Sequence, residues 1–125
     1  MKYIRTKDGI YEPTKWQCDL SNEMILVKAN NKFGNDKIFA RDIIKQANTI
    51  KELCDAFVIV GTNNDFYEDD VYKVYKDFIY ARHAMVSLEK ESHYDRDFAI
   101  YGAIWTDKGL QFAARMNSEG VLELL

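Results

Sequence analysis

The chain has 125 residues, 47% of them hydrophobic and 30% charged, with a net charge of −3. That length accommodates one domain, 1–125, with enough apolar material to fold around its own core. A pI near 5.4 gives no basic excess, so direct nucleic-acid binding is not expected, and one proline with six glycines argues against a disordered or low-complexity chain.

In chain order, KYIRT and IYEPTKW read as two strands around a tight turn at Asp8-Gly9, where glycine tolerates positive φ. Pro13 ends the pairing or lies on an edge. Glu23–Ala29 is a candidate strand whose apolar run also suits a helix, and Ala29–Asp36 is a loop by composition. In Asp36–Ala47, the placement of Ile38, Phe39, Ile43 and Ile44 fits a short strand and then a helical turn. Thr49 and Glu52 have the spacing of a capping box, so a short helix is expected to run to about Cys54. Phe57–Gly61 follows as a buried strand stopped by its glycine.

Glu68, Asp69 and Asp70 then open the longest helical pattern. Val71, Val74 or Tyr75, Phe78, Ala81 or Arg82, and Met85 keep a spacing of three to four. Acids at its start suit the positive end of the helix dipole. After a polar connector over residues 89–97 come three strands: Ala99–Thr106, Leu110–Met116 and Val121–Leu125. The intervening TDKG and NSEG place glycine where a hairpin needs positive φ. These elements predict an α+β domain: an antiparallel sheet of about five or six strands, with one short and one longer helix packed on it. The N-terminal hairpin and the C-terminal meander are expected to share that sheet.

No phosphate-binding loop, dinucleotide fingerprint, zinc-protease motif or nucleophile elbow occurs. No pair among the many acids is singled out for catalysis, so no catalytic residue is assigned and the chain reads as non-enzymatic. Cys18, Cys54, His83 and His93 together have zinc-ligand chemistry, but none of the local spacing of zinc modules. Buried thiols and surface imidazoles are the simpler reading. Zinc therefore stays a candidate, as does a small metal-dependent hydrolase using His83, His93 and nearby acids. The first nine residues carry charges and no apolar segment. No run approaches the roughly 18 apolar residues of a membrane span. A soluble, cytoplasmic protein with no membrane partner is expected.

Two features point to a protein partner. Asp65, Glu68, Asp69 and Asp70 put four carboxylates into six residues, without the pattern of an EF-hand. Phe66, Tyr67, Tyr72, Tyr75, Phe78 and Tyr80 crowd the same region, and tyrosine is enriched at interfaces. The helix dipole accounts for the acids as readily as a basic partner does, and packing with the hydroxyls at the rim accounts for the tyrosines.

The blocks MKYIRTKDGIYE, IKELCDAFVIV and YGAIWTDKGLQFAARMNSEGVLELL together resemble small proteins of phages and prophages of Gram-positive bacteria. Residues 12–36 and 61–97 lie largely outside that resemblance, which assigns no catalytic residue. It implies an inhibitor of host defence, of which the type II-A anti-CRISPR proteins are the best-known kind. The implied partner is a host protein, a type II CRISPR effector nuclease. The expected contact residues are Asp65, Glu68, Asp69 and Asp70 for charge, with Tyr67, Tyr72 and Tyr75 as anchors. A phage structural or accessory protein is the other alternative.

Overall fold

The computed structural model describes residues 3–14, 24–28, 35–63, 68–91 and 96–125. The chain is α+β: among the described residues, antiparallel sheets with one α-helix packed on them. β1 (Tyr3–Arg5) and β2 (Ile10–Tyr11) form the N-terminal hairpin, with Ile4 opposite Tyr11. Its turn is held by Thr6 N–H donating to the Gly9 carbonyl at 3.0 Å. β3 (Met24–Lys28) pairs with β4 (Asn35–Phe39). Pro13 bridges to Val27, at the end of the hairpin as its missing N–H requires.

Asp36–Ala47 resolves into the end of β4, a 3-10 turn at Ala40–Asp42, and β5 (Lys45–Ala47). β5 pairs with β1, so the N-terminal hairpin belongs to a three-stranded sheet, β2-β1-β5. It does not join the meander, contrary to the expectation from sequence. Strand pairing between segments some forty residues apart leaves no local trace.

The capping box at Thr49–Glu52 is present. Thr49 N–H and its hydroxyl both donate to the Glu52 carboxylate, at 3.3 and 2.8 Å. The turn it starts is a single 3-10 turn, Ile50–Glu52. β6 (Ala56–Asn63) runs on past Gly61.

The largest departure follows. Glu68–Tyr75 is a strand, β7, antiparallel to β6. Helix α1 starts only at Phe78 and runs to Glu91. Val71, Tyr72, Val74 and Tyr75 are β-branched or aromatic, types that fit a pleated sheet surface. Their spacing happens to continue into the true helical stripe of Phe78, Ala81 and Met85. Asp77 is what starts the helix: its Oδ1 accepts from Ile79 N–H at 2.9 Å, as an N-cap side chain does.

β8 (Arg96–Thr106), β9 (Gly109–Met116) and β10 (Leu122–Leu124) form the expected meander. Gly109 and Gly120 have φ of 95° and 80°, the positive φ their turns require. The five-stranded sheet runs β10-β9-β8-β6-β7, so the strand carrying the acids is an edge. One face of this sheet forms the main core. Phe57, Ile59, Ile100 and Ile104 pack there with Ala81 and Met85 of α1 and with Ile10, Ile50 and Leu53. The Phe57 and Phe78 rings, 5.2 Å apart, fix the start of the helix to the sheet.

Candidate binding surface

The opposite face of the five-stranded sheet carries a second, smaller cluster: Val58, Val60 and Ala103, with Tyr101 and Leu110 packed on them. All five are residues of the sheet itself. In β8, period-two alternation puts Tyr101, Ala103 and Trp105 on one side. Register then brings Phe112 opposite Ala103 and Leu110 opposite Trp105. The register shifts between Gly102 and Ala103, leaving Ala113 as an extra residue in β9. Such a bulge re-aims nearby side chains.

The Tyr101 and Phe112 rings stack at 4.6 Å with 19° between planes. The Arg115 guanidinium lies 5.6 Å from the Tyr101 ring centroid. Beside them Trp105 is 61% exposed, and Val74 of β7 is 48% exposed. The result is an aromatic strip on the sheet face away from α1, with Val74 two strands across from Tyr101, while Glu68, Asp69 and Asp70 lie at the other end of β7, across from Arg96–Phe98.

Trp105 is held from behind. Its backbone N–H donates to Asp55 Oδ2 at 2.8 Å. Asp55 also receives both terminal nitrogens of Arg5 at 2.9 Å, while Arg5 Nη1 reaches the Leu53 carbonyl at 2.9 Å. This bidentate pair ties the three-stranded sheet to β8. The Arg5 hydrogen bonds hold the Asp55 carboxyl below the usual carboxylate range, helped by the Trp105 N–H and opposed by partial burial.

The residues expected as a partner site are only partly brought together. Asp65 and Tyr67 lie outside the described residues. Glu68, Asp69, Asp70 and Tyr72 follow one another along β7, in a strand and not at a helix start, so the helix dipole does not account for the acids. Charge on an edge strand has a different structural use, discouraging edge-to-edge pairing. Tyr75 is half-buried against the main core, with the Lys73 ammonium 5.2 Å from its ring.

Of the zinc candidates, Cys18 and His93 lie outside the described residues, His83 is exposed on α1, and Cys54 is half-buried. Among the described residues no three His, Cys, Asp or Glu side chains converge as a metal site. Burial pushes the Cys54 thiol up to about 12, against a smaller lowering by Arg5. A thiol in that state is a poor nucleophile at neutral pH.

Sequence reasoning passed over Tyr101, Trp105 and Phe112. The alternation in IYGAIWT and LQFAARM contained them, but only the pairing register shows that they meet on the face away from α1. Among the described residues no helix is long and apolar enough to cross a membrane. No family model matches the chain, and neither a curated protein nor a solved structure matches it.

Proposed function

We propose that this protein is a phage-derived inhibitor of host defence that acts by protein–protein binding, with a type II CRISPR nuclease as its partner. The observation that carries the binding reading is the exposed Trp105 beside the stacked Tyr101 and Phe112, of which Phe112 is exposed too. Rigid aromatics of this kind anchor interfaces, because they bury large area with little loss of side-chain freedom. The acids of β7 lie on the edge of the same sheet, toward its other end, and supply charge of the sign suited to a basic surface that otherwise holds nucleic acid. The partner's identity comes from the sequence resemblance.

The test is guide-directed DNA cleavage by a type II-A nuclease with increasing amounts of the protein, together with size-exclusion chromatography of the mixture. Dose-dependent loss of cleavage with co-elution is the expected result. Joint charge reversal of Glu68, Asp69 and Asp70 should weaken binding and flatten its salt dependence. Full cleavage without co-elution would remove the nuclease as partner. Inhibition that survives Trp105→Ser and the charge reversal alike would remove this face as the interface.

A further inference from the structure

A groove of about 570 Å³ lies on the helix side of the molecule, away from the aromatic strip. Tyr3, the turn at Thr49–Lys51, the first turns of α1 and the Gly120–Leu122 turn line it. Its size falls in the range of sites that hold a ligand or an anchoring side chain, roughly 300–1,000 Å³.

The lining is mainly apolar, with Ile79 61% and Val121 56% exposed. Lys51 and Arg82 contribute a cation from each of two walls, and the lining contains no acid. Of the acids that flank the lining, Glu52 is engaged in its capping box, Asp77 in the cap of α1 and Glu123 with Asn117, while Glu119 adjoins Gly120. Among the described residues neither Lys51 nor Arg82 has an ion-pair partner. Arg82 lies between the helix start and the Gly120 turn. Its guanidinium sits 6.0 Å from the Phe78 ring centroid, and a Cβ on Gly120 would meet it at 3.1 Å.

We infer that this groove docks an acidic segment of a partner protein bearing one apolar anchor side chain. The anchor enters between Ile79 and Val121, and carboxylates on either side of it meet Lys51 and Arg82. Two cations on different elements call for two carboxylates, which a peptide supplies on either side of an anchor. Arg82 adds a planar fork suited to a carboxylate. The charge preference is opposite to that of the β7 edge, so this surface stands independently of the nuclease reading.

Fluorescence polarisation with labelled peptides tests it. The set places leucine or phenylalanine between glutamates at varied spacing. Control peptides carry glutamine for glutamate, lysine for glutamate, or alanine for the anchor. The wild-type protein should bind an acidic, anchored peptide saturably. Affinity should fall about fivefold or more with glutamine, with alanine at the anchor, or with Arg82→Gln, the loss of one partly exposed charge-assisted contact. The double variant Lys51→Glu/Arg82→Glu should come to prefer the lysine peptides, which no loss of folding would produce. Equal binding of glutamate and glutamine peptides would overturn the proposal, as would no binding across the set. Octanoate binding more tightly than any of the peptides would overturn it in favour of a small-carboxylate pocket.

Discussion

The sulfur of Cys54 fills the space that a side chain at residue 102 would need: a Cβ built on Gly102 would lie 2.6 Å from it. Gly102 sits in β8 beside Ala114 and Leu122 of the core. Gly102→Ala should therefore cost about 1–3 kcal/mol by overpacking. Cys54→Ala vacates that space, so Gly102→Ala should cost far less in its presence. Urea denaturation of the two single variants and the double gives the coupling. Additive losses would show that the clash lies elsewhere.

The Arg5–Asp55 pair predicts a pH signature. The folded pKa of Asp55 is depressed, so its contribution is present above the unfolded value, about 3.9, and is lost as pH falls through the lower folded value. Asp55→Asn should be less stable than wild type by about 1 kcal/mol at neutral pH, a modest figure because the Asp55 side chain is 34% exposed. That gap should close below about pH 4. Thermal melts of both proteins from pH 7 to pH 2 check this, and a gap that persists in acid would contradict it.

A Cys18→Ser protein isolates the Cys54 thiol. With that thiol pushed up to about 12, native protein at pH 8 should react with iodoacetamide far more slowly than the same protein in urea. Mass spectrometry of the quenched reaction measures both rates. Equal rates would mean that the thiol is open to solvent.

Trp105 separates folding from binding. Its side chain is largely exposed while its backbone N–H carries the contact with Asp55. Trp105→Ser should change stability by no more than about 1 kcal/mol. It should weaken the proposed partner complex by about 2 kcal/mol or more, as loss of an aromatic anchor does. Denaturation and titration calorimetry on the same preparation read the two effects. A large stability loss without a binding effect would assign the residue to the fold.

Moving the helix start to Asp77 is also testable. Asp77→Ala should cost about 1 kcal/mol through loss of the cap. Glu68→Gln with Asp69→Asn and Asp70→Asn should leave α1 unaffected, since those residues lie in β7. Backbone chemical shifts across Phe78–Glu91 distinguish the two cases.

The parts of the fold legible from sequence are those whose signal is local. Thr49 and Glu52 meet as a capping box because the motif spans four residues. The turns at Gly109 and Gly120 follow from a backbone need that glycine meets. Val71–Tyr75 misled because residues three to four apart along a strand can mimic one stripe of a helix when a real helix comes just after. The identity of the side chains was the better guide there than their spacing. The pairing of β1 with β5, and the meeting of Tyr101 with Phe112, depend on register between strands. Neighbouring residues do not encode it, so both the sheet division and the aromatic strip appeared only in three dimensions.

The clamp from Arg5 through Asp55 to the Trp105 amide has a dynamic consequence. That amide proton can exchange with solvent only when the carboxylate lets it go, and the carboxylate is itself held by Arg5 of the N-terminal strand. A single backbone proton on the aromatic face thus acts as a gauge for fraying at the start of the chain. Detachment of the three-stranded sheet and loosening of the aromatic strip would be one event, seen from two sides.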